Sequence, residues 1–417
     1  MARVDHLALY YGDERVGTLH DTSPIAFEYA PSWLMRREPM RVADIALAAG
    51  RNETEAVGAY FENLLPEGEL RAYLSEQKNA STLFSMLMTV AGDTAGAFVI
   101  LRGDEKPTAS SYEQSSWEEL ATLLGKPSTA AIDIHSRDAR ISLAGAQDKT
   151  TLAIFEDGVP CLPNGTAPST HILKPNIKRL DKVWHSAANE AIVMLTAANC
   201  GLPTAEVFYE PHTQSCVVRR FDRTTLADGS LGRLIQYDLC QLAGTLSDRK
   251  YEKEGGPDIA ACADIVRRYS TQPAVDLRNL VAWIFFNLYT GNNDSHAKNL
   301  SLYSLPSGAV TLTPFYDLMS TRVYPGLAKD FALSIGGEFL PGAMTQAHVA
   351  VMARQLRMRP QFVRKLATDL AVRMPDALAG AVEAVKPVLP HGAKDLAGRL
   401  SSFVLSTTKK MAARLTE

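Results

Sequence analysis

Cysteine is scarce in this chain, with five in 417 residues. Cys161, Cys200, Cys216, Cys240 and Cys262 show no CxxC spacing and no paired Cys/His cluster, which excludes the usual zinc ligand sets and a disulfide framework. Reduced, buried thiols in a reducing compartment are the expectation. An excess of positive charge is also missing. The 43 Lys and Arg residues stand against 46 Asp and Glu, a formal net charge of -3. A surface built to neutralise nucleic-acid phosphates needs a clear basic excess, so any contact with DNA is expected to be indirect. Long apolar runs are absent. The longest, VAWIFFNLY, is too short to span a bilayer. The opening MARVDHLALYYGDERVG puts acids and turn residues where a secretory signal needs an unbroken apolar core. With no low-complexity or repeat pattern either, a soluble cytoplasmic protein without a membrane partner is expected.

What is present is enough apolar material for a core: 46% of residues are hydrophobic and 21% charged. At this length two or three packed units are expected rather than one. LALYY, the polar GDERVG and a second short apolar stretch read as strands joined by a turn. Helical spacing follows at 56–65 and 82–90, and the polar stretch GDEKPTASSYEQSS suggests a boundary. From 140 to 221 short β-type runs alternate with Gly/Pro/Asn turns around one helical insertion, HSAANEAIVMLTAANCG. There Ala188, Ala191, Ile192 and Leu195 share a face and Gly201 stands as the cap. Beyond Asp222 the chain reads as mostly helical. The spacing predicts an α+β, two-lobed chain with a β-rich N-terminal unit (1–115), a mixed sheet lobe (116–222) and a helical C-terminal lobe (223–417).

The densest chemistry lies in the last of these. In VDLRNLVAWIFFNLYTGNND, apolar Leu277, Leu280, Val281, Ile284, Phe285 and Leu288 recur at helical spacing, and Gly291 ends the helix. The polar cluster Asp294, Ser295, His296, Ala297, Lys298, Asn299 then leads into the strand pattern LSLYSL. A turn at 306–308 returns the chain as AVTLTPFYD. If the two strands pair antiparallel, the end of the second lies beside the start of the first, and Asp317 comes back to Asn299 and Asp294. Mg²⁺ prefers hard oxygen ligands beside substrate phosphates, which suits Asn299 and Asp317. Asp294 then orients an attacking hydroxyl and accepts its proton, and Lys298 balances charge on the moving phosphoryl group. His296 is given a nucleotide-side contact only. The alternative is a solvated loop followed by a turn residue, as a motif match alone always allows.

A second cluster precedes it. RISLAGAQDK (140–149) before TTLAIF reads as a glycine-containing loop between strands. Such a loop can turn backbone N–H groups toward phosphate oxygens, or be an ordinary hairpin turn. The strand-like THILKP carries Lys174, and the following helix carries Glu190. A strand lysine held by a helix glutamate is the kinase device for α/β-phosphates, although helix surfaces are rich in glutamate. SCVVRRFDR then runs where a connection between two lobes would pass, and backbone groups of Arg219, Arg220 and Phe221 could bind an adenine edge.

Taken in order, SLAGAQDKT, THILKP, RRFDR, YEKEGGP, NNDSHAKN and LTPFYD resemble the HipA family of toxin kinases, and the resemblance runs from NLLPEG to the C-terminal helices. It implies a protein-kinase-like core using ATP and Mg²⁺. Asp294 is then the catalytic aspartate, with Lys298 beside it, and Asn299 and Asp317 hold the metal. Lys174 binds phosphate, and Ala144, Gly145, Ala146, Gln147, Asp148 and Lys149 form the phosphate loop. His296 and Tyr316 complete the nucleotide side. Ser142, just before the loop, corresponds to a serine whose autophosphorylation expels it; the added negative charge competes with ATP phosphates. The chain departs from the family pattern at Arg219 and Asp148, where glutamate is frequent, and at Ser295, where glycine is usual. A carboxylate contact from position 219 to the nucleotide is thereby lost. The family implies a small DNA-binding antitoxin of the HipB type as partner, and an aminoacyl-tRNA synthetase as one protein substrate. A small-molecule kinase of the aminoglycoside or choline type shares the Asp/Asn/Asp chemistry. A catalytically dead scaffold that only docks an antitoxin is the non-enzymatic alternative.

Overall fold

The computed structural model describes residues 4–67, 71–72, 75–76, 80–90, 94–125, 149–178 and 180–416. The chain divides into two compact units. One comprises Met1–Leu173, Arg220–Asp248 and Tyr303–Pro306, and the other Lys174–Arg219, Arg249–Leu302 and Ser307–Glu417. All five cysteines are free and buried. Among the described residues no helix is long and apolar enough to cross a membrane.

The first unit opens with the expected hairpin, strands His6–Tyr11 and Glu14–His20, which extends into a five-stranded sheet. In spatial order the strands are Arg51–Asn52, Ala26–Tyr29, Glu14–His20, His6–Tyr11 and Phe98–Arg102. Every pair is antiparallel. Both faces are covered, as the run LALYY requires. Leu7 and Leu9 join Val16, Leu19, Phe27, Phe98 and Ile100 in the main core. Ala8 and Tyr10 join Val99 and Leu101 on the other face. Helices Glu55–Glu62 and Leu83–Val90 stand where helical spacing placed them. The polar stretch after Arg102 is not all loop: Ser111–Gln114 is a strand, paired with Pro160–Asn164. Thr150–Ile154 and His171–Lys174 continue from it, so TTLAIF and THILKP are strands as expected.

Buried charge pins this unit together. Arg220, 5% exposed, donates through Nε and Nη2 to the two oxygens of Asp222, and through its other hydrogens to Ser169 Oγ and the Thr94 carbonyl. Gly96 N–H donates to Asp222 Oδ2 at 2.7 Å, and Arg223 lies 3.0 Å from the same carboxylate. A planar guanidinium suits this bidentate, fully hydrogen-bonded arrangement. A second buried acid, Glu62, accepts from both the backbone N–H and the hydroxyl of Ser247, at 2.8 and 2.7 Å.

The second unit is mostly helical. Ser186–Asn199 ends at Gly201 in a cap where Leu202 N–H reaches the Ala197 carbonyl and Gly201 N–H the Ala198 carbonyl. This helix is buried nearly all round, and Glu190, 1% exposed, lies inside it rather than on a solvated edge. The helix Pro273–Thr290 is likewise buried over most of its length, ending at Gly291 with φ 67°. A Cβ there would sit 2.7 and 2.9 Å from the Phe403 ring, so both the left-handed turn and the close approach demand glycine. Helices Ile259–Tyr269, Gln346–Gln355, Pro360–Val385 and His391–Thr416 also belong to the unit.

Burial by itself would raise the Asp222 pKa, but the Arg220 and Arg223 guanidiniums outweigh it and hold the carboxyl below the usual range. A depressed folded-state pKa stabilises above the unfolded value and loses that contribution as the pH falls. Asp222→Ala, which strands buried Arg220, is expected to cost about 3–5 kcal/mol at pH 7 in urea unfolding. Its deficit relative to wild type should shrink below about pH 4; a deficit independent of pH would contradict the assignment.

Candidate active site

Lys174 closes its strand and is buried, 6% exposed. Its ammonium donates to Glu190 Oε1 at 2.6 Å and to Asp317 Oδ1 at 2.8 Å. Burial works against the charged amine, but the Asp317 and Glu190 carboxylates outweigh it and hold its pKa above the ordinary lysine value. The partners arrive from different elements. Glu190 is delivered by its helix, and Asn189, next to it, clamps the chain beyond Asp317. Asn189 Nδ2 donates to the Ser320 carbonyl and its Oδ1 accepts from Ser320 N–H, both at 2.9 Å. Asp317 itself is held at φ 58°, a conformation uncommon outside glycine and enriched at functional sites.

The hairpin expected from sequence delivers Asp317. Strands Ser301–Ser304 and Val310–Leu312 are neighbours, and Thr313 N–H donates to the Ser301 carbonyl at 2.9 Å. Asp276, buried at the head of the Pro273–Thr290 helix, accepts from Thr311 Oγ1 and Leu312 N–H at 2.7 and 3.1 Å and so fixes the returning strand. Phe315, 1% exposed, exchanges backbone bonds with Pro203 and Ala205. Tyr316 then reaches across, its hydroxyl donating to the Lys298 carbonyl at 3.0 Å and lying 2.7 Å from Ser301 Oγ. The residue before Asp317 is thereby seated on the loop that carries Lys298 and Asn299.

That loop is braced from within. Asn292 Nδ2 donates to Asn287 Oδ1 at 2.8 Å, and Asn293 N–H donates to Thr321 Oγ1 at 2.9 Å. Asn299 Nδ2 donates to the Asp294 carbonyl at 3.0 Å, which turns its amide oxygen the other way. The Asp294 carboxylate, 54% exposed, accepts from the Tyr251 hydroxyl and lies 3.9 Å from His296 Nε2. His296 is 3% exposed, with its ring edge-on to Tyr251 at 5.2 Å, and Lys298 is 7% exposed.

The structure thus brings Lys174, Glu190 and Asp317 into direct contact, Tyr316 onto Lys298, and Asn299 onto Asp294. Arg219 stands apart, exposed and paired with Glu206 at 2.9 Å. The Arg220 side chain is consumed by Asp222, and Phe221 packs edge-on against Tyr303 at 6.0 Å, both in the first unit. Lys149 precedes the Thr150–Ile154 strand in that unit. Ala144, Gly145, Ala146, Gln147, Asp148 and Ser142 lie outside the described residues. Sequence reasoning gave no role to Asn189, Asn292 or Tyr251. Tyr251 and Asn292 carried a signal, as the first residues of YEKEGGP and NNDSHAKN, and Asn189 carried none.

A mixed α+β chain with a strand lysine locked to a helix glutamate, and an Asp/Asn loop answered by a hairpin aspartate, has a protein-kinase-like, two-lobed fold. Two family models match it: the HipA N-terminal domain over residues 7–101 and the HipA-like C-terminal domain over residues 141–378. The chain is 32% identical over 401 residues to Y4mE of Sinorhizobium fredii, spanning 92% of this chain and 94% of that one. It is 27% identical over 401 residues to the serine/threonine-protein kinase toxin HipA of Shewanella oneidensis, covering 92% and 90%. A solved Shewanella oneidensis MR-1 complex of HipA, HipB and operator DNA contains a chain that superposes with a TM-score of 0.83 at 24% identity, covering 98% of each. The chain belongs to the HipA family.

Removing the Lys174 ammonium leaves Glu190 buried without its cation. Lys174→Ala is expected to cost about 3–5 kcal/mol of stability, with Lys174→Met/Glu190→Gln recovering most of it. A raised lysine pKa keeps this contribution fully present below the unfolded-state value near 10.4. The loss should therefore be flat from pH 6 to 9 in denaturant titrations, and a loss that varies across that range would contradict the pairing.

Proposed function

We propose that the chain is a Mg²⁺- and ATP-dependent serine/threonine protein kinase, the toxin of a HipA-type toxin–antitoxin pair. The observation that carries this reading is the buried Lys174 bridging Glu190 and Asp317, in the same unit as the Asp294–Asn299 loop. A lysine paired in this way is pre-oriented for the α/β-phosphates, since the glutamate fixes its position while its charge is retained. The donor set fits Mg²⁺: Asp317 offers a half-exposed carboxylate, and the Asn299 amide oxygen is turned away from the Asp294 carbonyl. Bound there, the metal would neutralise phosphate charge as the terminal phosphoryl group moves. The residues do the rest. Lys174 exchanges Asp317 for phosphate oxygens, Asp294 orients the acceptor hydroxyl and takes its proton, and Lys298 offers charge to the transferring group. His296 and Tyr316, in the same unit, serve the nucleotide.

The acceptor is a protein hydroxyl. An aminoacyl-tRNA synthetase is the substrate class the family resemblance implies, and Ser142, before the Ala144–Lys149 phosphate loop, is the self-phosphorylation site. The relative solved with HipB and operator DNA supports a HipB-like, DNA-binding antitoxin as partner. The net charge of -3 agrees with DNA contact made mainly through that partner.

Asp294→Ala should lower phosphorylation of protein by about 10²- to 10⁴-fold, the span for a positioned acid/base group, with folding intact by circular dichroism. A phosphoproteome comparison of wild type with this variant identifies the substrate, and equal labelling by both would remove Asp294 from its role. A metabolite kinase would leave every protein in the lysate unlabelled. Ser142→Ala should abolish self-inactivation during incubation with ATP; mass spectrometry finding the loop phosphate on another residue would contradict it.

A further inference from the structure

The motif YEKEGGP has no role in the proposed chemistry, yet its first residue touches Asp294. The Tyr251 hydroxyl donates to Asp294 Oδ1, and its ring stands edge-on to His296, with centroids 5.2 Å apart and planes at 83°. The loop is built around this tyrosine. Glu254 and Gly256 N–H groups both donate to the Tyr251 carbonyl, at 3.0 and 2.9 Å. Gly256 passes so close that a Cβ would meet the Arg249 carbonyl oxygen at 2.3 Å, so the turn tolerates no side chain.

Two tethers fix the loop to the segment beyond Asp317. Glu252 accepts from the Ser334 N–H and hydroxyl, each at 2.6 Å. Lys253 pairs with Asp330 and lies 4.6 Å over the Phe339 ring. The same segment also grips the catalytic loop, since Asn293 Nδ2 donates to the carbonyls of Ala328 and Lys329 at 3.1 and 2.8 Å. Contacts therefore form a closed circuit: Asp294 to Tyr251, along the backbone to Glu252, across to Ser334, and back through Lys329 and Asn293. Asp294 needs such an anchor. Its carboxylate is 54% exposed, and an exposed aspartate on a loop samples several rotamers.

We propose that Tyr251 is a positioning residue: its hydroxyl, held by the tethered YEKEGGP loop, commits one Asp294 oxygen and thereby aims the other at the acceptor hydroxyl. This rests on Asp294 being the base. A phenol suits the task because it donates strongly to a carboxylate while its ring, packed on His296, cannot follow the substrate away. The device acts on orientation in the chemical step and leaves nucleotide binding untouched.

The test uses the full-length, dephosphorylated chain with Mg²⁺ and [γ-³²P]ATP, reading label in the chain itself and in myelin basic protein. Tyr251→Phe keeps the ring and its packing. It should lower kcat about tenfold, the worth of one hydrogen bond to a charged group, with KM for ATP and the melting temperature unchanged. Glu252→Gln, which loosens a tether without touching Asp294, should lower kcat by a smaller factor in the same direction. In the Asp294→Ala background, Tyr251→Phe should cause no further loss, because the two act as one unit. Unchanged kcat in Tyr251→Phe with Asp294→Ala inactive would overturn the role of Tyr251 alone, as would full additivity in the double variant. Full activity of Asp294→Ala, or no label from wild type in either acceptor, would overturn the reading of the site and this proposal with it.

Discussion

A lysine ammonium buried at 6% exposure is costly unless its charge is matched, and in this chain two carboxylates match it. Much of the second unit can be understood as the means of bringing those carboxylates to one point. Glu190 is fixed by a helix buried nearly all round, and Asp317 by a hairpin whose returning strand is bolted to a neighbouring helix through Asp276. If either acid drifted, the ammonium would lose one of its two acceptors, so the pair holds each element to the other as well as holding the lysine. The same three groups form the centre of the proposed nucleotide site, which makes structural integrity and phosphate binding depend on one set of contacts.

The 292–299 loop is held by a different principle. Its carboxamides are spent on backbone and on one another: Asn292 on Asn287, Asn293 on the 328–329 carbonyls, Asn299 on Asp294. Amides serve here because they satisfy buried backbone groups without adding charge beside the Asp294 carboxylate. Gly291 permits the sharp exit from the preceding helix against Phe403, and the polar loop follows immediately. Only the Asp294 side chain, half-exposed, reaches outward, and it accepts from the Tyr251 hydroxyl.

Arginine in the first unit shows how one residue type can be read two ways from sequence. RRFDR suggests nucleotide contacts through backbone groups, yet the Arg219 and Arg220 N–H groups donate to the Glu206 and Thr170 carbonyls, each at 2.8 Å. The Arg220 side chain, however, is consumed by Asp222, Ser169 and Thr94, where it satisfies buried polar groups of its own unit. Arg219 is exposed beside Glu206. Spacing in a motif cannot distinguish these fates, because two of the Arg220 partners lie 51 and 126 positions away.

The sequence by itself determined many of the elements and named the candidate residues. Helical periodicity marked the helices at 186–199 and 273–290, and alternating apolar runs marked the strands carrying Lys174 and the hairpin. Antiparallel geometry then required Asp317 to return toward Asn299, since register follows from a turn of known position. Family motifs named the same residues, and the domain models agree on membership. Only the tertiary structure decided that Glu190 is buried rather than a surface glutamate, that Lys174 bridges two acids at once, and that Tyr251 reaches Asp294 from 43 residues away. Periodicity and turn chemistry are local and therefore legible in order along the chain. Which buried charge meets which partner depends on packing between elements far apart in sequence, and no local pattern encodes it.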